Sequence, residues 1–279
     1  MLNFSDSTRF DDNFKVYMKY LKTLVLFSFL LVFSCKKEKF NNNLIIDFNL
    51  KSVKGYTYDI SVALPVNFDK TKKHRTTYFL DKDWDFEMMS NAAKKAGNGS
   101  KYNEILVGIG WGNSKRERDY TPTQSSQGDG GADDFINFIK SILIPYIENN
   151  FNADTSRISR CISGHSFGGL FVAYCFTNHH YLFGNYLALS PSLWYAEQVE
   201  LINEIDNKSK NQMPTLMFSS MGGTESYGML PAFMIWKNSI ENNYPNLKKK
   251  IVIVDGQGHQ GAKKASINDA FTFYFENRN

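Results

Sequence analysis

From residue 76 onward, short runs rich in β-branched and apolar residues alternate with longer stretches whose apolar residues recur at helical spacing, and this alternation does most to narrow the folds open to the chain. Residues 76–80, 104–111, 157–163, 185–190, 215–219 and 251–255 read as strands, and residues 86–96, 133–149, 168–177, 230–241 and 266–275 as helices. Helix 86–96 is ended by Gly97, and helix 133–149 places Phe135, Phe138, Ile139, Ile142 and Ile147 on one face. Strands separated by helices pair in parallel through crossovers, so the expectation is an α/β sheet, mostly parallel, with helices on both faces. Ahead of it, residues 44–53 and 56–65 alternate across a Lys54-Gly55 turn, which predicts an antiparallel hairpin at the sheet edge. Residues 112–131 are polar and without period, and at about twenty residues they exceed a plain connector.

The chain is 279 residues long, 42% hydrophobic and 22% charged, which suits one globular domain and excludes a disordered or collagen-like chain. The net charge is only +4, with its densest cluster at Lys248, Lys249 and Lys250, far from the basic stripe that phosphate neutralisation demands, so nucleic acid is not expected as a partner. Three cysteines, Cys35, Cys161 and Cys175, form neither a disulfide framework nor a metal-type Cys/His spacing. The chemistry sketched below needs no metal or organic cofactor.

Residues 18–34 have a short basic start and then an apolar run from Thr23 of about a dozen residues, shorter than the ~20 of a spanning helix, as in a secretory signal. The end of that run, Leu31-Val32-Phe33-Ser34-Cys35 before Lys36-Lys37-Glu38-Lys39, resembles a bacterial lipoprotein box, in which the cysteine is diacylated and becomes the mature N-terminus. The alternative is a buried segment of the core, which the polar residues 36–43 argue against by isolating it. The expected organisation is a leader over residues 1–35, a tether over 36–43 and an α/β domain over 44–279. Residues 1–17 precede a normal signal start, which makes Met18 the expected initiator. Losing residues 1–35 removes four Lys/Arg and three Asp and lowers the net charge from +4 to +3. A lipid on Cys35 would hold the domain at a membrane, facing the periplasm or the cell exterior.

Gly164-His165-Ser166-Phe167-Gly168 is a G-x-S-x-G pentapeptide between a β-rich run and a helix start rich in small residues. A nucleophile elbow requires that placement, because glycines permit the tight turn while Ser166 projects from strained backbone. The Phe167 N–H then lies at a helix N-terminus, where it faces a developing oxyanion. A serine of normal acidity needs a base, and the histidines are His74, His165, His179, His180 and His259. His74 lies in a Lys-rich loop, and His165 neighbours the serine and is expected to point away from it. His179 and His180 end the nucleophile helix, roughly 15–20 Å from Ser166 at 1.5 Å per residue. His259 follows the last strand, in what reads as a flexible loop, and is the expected base. The carboxylate that orients it should follow the strand before, which nominates Glu225, with Asp255 or no close acid as alternatives. Trp84 and Trp194 follow the loops nearest Ser166 and are expected to line an acyl or aryl pocket.

With the elbow placed, the chain resembles the putative-esterase family of α/β-hydrolases, which includes enterobactin-type siderophore esterases and is related to esterase D and the mycolyltransferases. Arg116-Glu117-Arg118-Asp119-Tyr120-Thr121-Pro122 is similar to that family's R-x-x-D-Y-T-P loop, Gly130-Gly131-Ala132 through Phe138-Ile139 to the helix before the elbow, and Ser190-Pro191-Ser192-Leu193-Trp194 to its S-P-S-x-W run. The resemblance spans residues 44–275. It implies an α/β-hydrolase fold, the Asp83 N–H as second oxyanion donor, and a loop-bracing salt bridge between Arg116 and Asp119, with Arg116 or Arg118 also placed to meet substrate. Leu80-Asp81-Lys82-Asp83 departs from the family, which usually has Gly where Lys82 stands. The expected function is a serine carboxylic-ester hydrolase acting on a small-molecule ester, a siderophore, sugar or feruloyl ester. The alternatives are acyl transfer by the same triad and a non-catalytic binding lipoprotein on a hydrolase fold.

Overall fold

The computed structural model describes residues 45–65, 67–97, 103–195, 214–226 and 228–278. The chain divides between residues 40 and 41, and all of these residues belong to the second unit. The expected leader, Cys35 and the expected tether lie outside the described residues.

In chain order the strands are β1 (Ile45–Lys51), β2 (Thr57–Ala63), β3 (Arg75–Leu80), β4 (Glu104–Ile109), β5 (Gln124–Ser125), β6 (Gly128–Asp129), β7 (Arg160–His165), β8 (Asn185–Leu189), β9 (Leu216–Gly222) and β10 (Lys248–Val254). The helices are α1 (Lys82–Ala96), α2 (Arg116–Asp119), α3 (Ala132–Phe138), α4 (Ile144–Phe151), α5 (Phe167–Asn178), α6 (Met229–Asn243) and α7 (His259–Asn277). A π-helical turn, Ile139–Leu143, joins α3 to α4. Helix 133–149 of the sequence reading is therefore a continuous three-part element.

Eight strands form one sheet in the order β1-β2-β4-β3-β7-β8-β9-β10. β1, β2 and β4 pair antiparallel and β4, β3, β7, β8, β9 and β10 pair parallel, so the expected hairpin does occupy one edge. The inner strands β4, β7, β8 and β9 are buried along their whole length, as a strand covered on both faces must be, whereas β1 alternates with solvent. The opposite edge, β10, begins three residues earlier than its apolar run suggests, at Lys248-Lys249-Lys250; lysines on an exposed edge discourage pairing with another chain.

Successive residues of one strand feed the two layers of core. On one face Tyr78 of β3 meets Phe183 at 5.8 Å, and Phe135 of α3 meets Phe171 of α5 at 5.1 Å. On the other, Phe79 meets Phe86 of α1 at 5.4 Å and Phe218 of β9 meets Phe273 of α7 at 6.2 Å. Each of these rings that is fully buried, Tyr78, Phe79, Phe135, Phe171, Phe183 and Phe218, contributes about 1.5–3 kcal/mol. The polar stretch 112–131 is ordered as α2 and the β5–β6 ribbon.

Two boundaries differ from the sequence reading in ways that matter below. α1 begins at Lys82 rather than residue 86, and α7 at His259 rather than residue 266. Both first turns are polar and carry no apolar period, so periodicity missed them. In α1, Asp83 and Asp85 lie where the helix dipole favours negative charge.

Candidate active site

Three neighbouring strands, β3, β7 and β8, each run out into a non-glycine residue with left-handed φ: Asp81 at 59°, Ser166 at 62° and Ser190 at 41°. Such backbone costs on the order of 1–3 kcal/mol per residue and persists only where the surroundings impose it. All three mark the same edge of the sheet, and the rest of the site is built around them.

At the centre β7 turns through Ser166 into α5. The turn is tight enough that a Cβ on Gly164 would lie 2.5 Å from the backbone of Gly168, so only glycine fits there. Ser166 N–H donates to Leu189 O at 3.1 Å, and its carbonyl accepts from Ser192 N at 3.1 Å. Its Oγ pairs with Ser192 Oγ at 3.4 Å. As the first residue of α5, Phe167 has an N–H without an intrahelical acceptor, aimed outward beside the serine.

β9 ends in the turn that carries Glu225, whose side chain is wholly buried. Oε1 accepts from Ser190 Oγ and from Gly222 N, each at 2.7 Å, and Oε2 takes the His259 Nδ1–H at 2.7 Å. Burial pushes this carboxyl up, but the hydrogen bonds from His259, Ser190 and Gly222 outweigh it and hold the group below the usual range, ionised. A Cβ on Gly222 would run into Gln257 O, so the acid turn and the loop before His259 pack backbone to backbone. The Nδ1–Glu225 bond assigns the imidazole tautomer and leaves Nε2 as the proton acceptor. Asp255 sits exposed in the turn after β10 and is not the partner. His259 itself is the first residue of α7, not part of a flexible loop.

The neighbour His165 has a role that sequence reasoning did not assign. It is 4% exposed, its ring lies 4.4 Å from that of His259, and its Nε2–H donates to the His259 carbonyl at 3.2 Å. Burial, reinforced by the nearby His259, pushes its imidazole down to about 2, so it stays neutral.

β3 leads through Asp81 into α1, placing the Lys82 and Asp83 N–H groups in the open first turn of that helix. The Asp83 carboxylate accepts the Trp111 N–H at 3.3 Å, so it faces the neighbouring loop. Arg116 does not brace Asp119. Its guanidinium grips Asp81 with both arms, Nε to Oδ1 at 2.7 Å and Nη2 to Oδ2 at 2.9 Å, and Nη2 also donates to His165 O at 3.1 Å. Arg118 takes Asp119 instead, at 2.8 Å. The family resemblance suggested the first pairing; Asp119 is as deeply buried but already accepts from Arg118 and Tyr58, and the buried Asp81 carboxylate, 35 residues upstream, takes both arms of Arg116.

A model of one family, Putative esterase, matches residues 53–262, three quarters of the chain. The chain belongs to that family. This esterase is 27% identical over 227 residues to the ferri-bacillibactin esterase BesA of Bacillus subtilis, covering 72% of this chain and 75% of that one. It is 28% identical over 192 residues to the siderophore triacetylfusarinine C esterase of Aspergillus fumigatus, covering 62% of this chain and 65% of that relative's length. The solved structure of the BES protein from Bacillus cereus, at 24% identity, superposes with a TM-score of 0.74 over 85% of this chain and 97% of that one, and the shared fold is the α/β-hydrolase fold. The esterase is thus a carboxylic-ester hydrolase.

Aromatic side chains flank Ser166. Trp84 of the esterase is 65% exposed and stacks edge-on against Trp111 at 4.5 Å, while Trp194, 38% exposed, lies 6.1 Å from Phe167. The buried Arg116 guanidinium lies 5.3 Å from the Trp84 ring and 5.7 Å from Phe167, joining the two sides. Its Nε and Nη2 are engaged by Asp81 and His165, which gives it a bracing place in the wall.

Proposed function

We propose that this esterase cleaves a small-molecule ester of siderophore type through an acyl-Ser166 intermediate. The observation that carries the reading is the 2.7 Å bond from half-buried His259 to buried Glu225, together with a strained serine at a strand-to-helix elbow. Ser166 Oγ attacks the ester carbonyl as His259 Nε2 takes its proton, and Glu225 stabilises the imidazolium formed. The tetrahedral oxygen collects hydrogen bonds from the Phe167 and Asp83 N–H groups, both at the positive ends of helices. Collapse expels the alcohol, which takes the proton from His259. Water then repeats the sequence on the acyl-enzyme, releasing the acid and restoring Ser166. The substrate class rests on the two relatives named as siderophore esterases. Trp84 and Trp194 give the acyl group apolar walls.

The test is kinetic. In the full-length protein, Ser166→Ala and His259→Ala each lower kcat on ferri-siderophore esters and p-nitrophenyl butyrate by about 10⁴-fold or more, and the double variant loses little further, because the two act as one unit. Additive losses, or turnover surviving in Ser166→Ala, would sink the mechanism. A siderophore ester turned over no faster than p-nitrophenyl butyrate would sink the substrate class.

We further propose that Cys35 is lipidated and tethers the domain to a membrane. The Leu31–Cys35 box supports this reading.

A further inference from the structure

Six buried or half-buried groups that sequence scatters over 183 residues close on one another in a circuit around the site. Arg116 holds Asp81, at 2.7 and 2.9 Å, and donates to the His165 carbonyl at 3.1 Å. His165 Nε2–H reaches the His259 carbonyl at 3.2 Å. One turn further along α7, Lys263 Nζ bonds both carboxylate oxygens of Asp85, at 2.9 and 3.1 Å. Asp85 N–H returns to Asp81 O at 2.9 Å, closing the path.

Each link joins a part of the machinery to the next: the turn bearing the Asp83 N–H, the elbow, the base, and the first turn of α1 again. None of the links is a strand-to-strand hydrogen bond of the sheet, although His165 closes β7. The Lys263–Asp85 pair is the least expected of them. Its side chains are only 8% and 6% exposed, and its lysine occupies the first two turns of a helix, where the dipole opposes a cation. Burying such a pair gains little stability, since desolvation consumes most of the attraction. What it supplies is a fixed distance between α1 and α7.

We propose that this ring sets the separation of the oxyanion turn from the base, with His165 and Lys263 as its positioning residues. The inference rests on the acyl-serine reading above. Displacing a reacting group by about 1 Å costs on the order of 10²-fold, so opening the ring slows the chemical step more than it weakens binding. A ring also has a signature that separate contacts lack: once it is open, a second cut releases little more.

The experiment compares Lys263→Met, His165→Phe, which keeps the ring packing but removes the N–H, and their double variant, in the full-length protein with p-nitrophenyl butyrate. Each single variant is expected to lower kcat about 10–100-fold with KM within about threefold, and the double variant to fall no more than about threefold below the worse single. Lys263→Arg, which keeps the charge, is expected to recover kcat to within about threefold of wild type. Multiplying losses in the double variant, or an unchanged kcat in either folded single variant, overturns the ring. If Lys263→Met does not fold, Asp85→Asn makes the same cut without changing volume and is judged by the same criteria. Ser166→Ala run alongside separates the two readings: turnover surviving there overturns the acyl-serine mechanism and the ring with it, whereas multiplying losses beside an inert Ser166→Ala overturn the ring alone.

Discussion

Glu225 accepts three hydrogen bonds on two oxygens, and only one of the three donors belongs to the base. Glu225→Gln puts an amide NH₂ where one of those donors must be met, so the His259 tautomer is no longer enforced. The expected loss is about 10²–10⁴-fold in kcat with the fold kept. Asp255→Asn, at an exposed turn, should leave kcat within about threefold. A silent Glu225→Gln beside a crippled Asp255→Asn would reverse the assignment. The same residues set the acid limit of stability. His165 is held neutral with its pKa at about 2 against 6.5 when free, so the unfolded chain binds a proton that the folded one refuses. Its stabilisation is complete above 6.5 and is lost as pH falls from there, by up to about 1.4 kcal/mol per pH unit. Glu225, with a lowered pKa, keeps its contribution until pH falls below the ordinary value of 4.5. Between pH 6.5 and 5 the decline in unfolding midpoint should therefore flatten in His165→Phe. An unaltered slope there would contradict the buried neutral imidazole. The placement of Ser166 at an elbow and of Glu225 beside His259 was legible because local grammar, a glycine-flanked turn or a strand end, announces each. Arg116 was not, because the near carboxylate, Asp119, is held by Arg118 and Tyr58 and the arginine turns to a buried one far along the chain.

At the scale of elements, the decisive positions are helix starts: α1, α5 and α7 all begin at the same edge of the sheet. Elements with apolar periods were readable, and their first turns were not, since those turns are held by polar contacts such as Lys263–Asp85 and not by hydrophobic spacing. The shift of α1 by four residues places Asp83 in a helical first turn, whose N–H is available by geometry. Asp83→Ala keeps that N–H and should retain most turnover. Asp83→Pro removes it at a position where a helix tolerates proline, and should cost about 10²–10³-fold in kcat, roughly 2.7–4 kcal/mol, with little change in KM. The thermal midpoint of the same sample checks that the backbone is intact. Near wild-type turnover by folded Asp83→Pro would move the second donor elsewhere, with the N–H of Lys82 next to be tested, since that of Trp84 donates to Asp81 O at 3.0 Å.

For the molecule as a whole, the proposed tether predicts that the wild type sediments with membranes and that Cys35→Ser is released or keeps its leader uncleaved. A Cys35→Ser protein with the size and membrane association of wild type would refute lipidation. One acyl chain binds only reversibly, so firm retention needs the several chains of a bacterial lipoprotein. The sheet order has a different consequence. β7, with the nucleophile, is central and complete by residue 165, whereas the acid follows β9 and the base opens α7, after the opposite edge has been laid down. A polypeptide made from its N-terminus thus carries its serine about ninety residues before its imidazole, and at synthesis rates of ~5–20 residues per second that gap lasts roughly five to twenty seconds. Throughout that interval the serine is an ordinary alcohol without a proton acceptor. On the proposed mechanism ester cleavage starts only when the final helix docks, so a nascent chain is chemically silent.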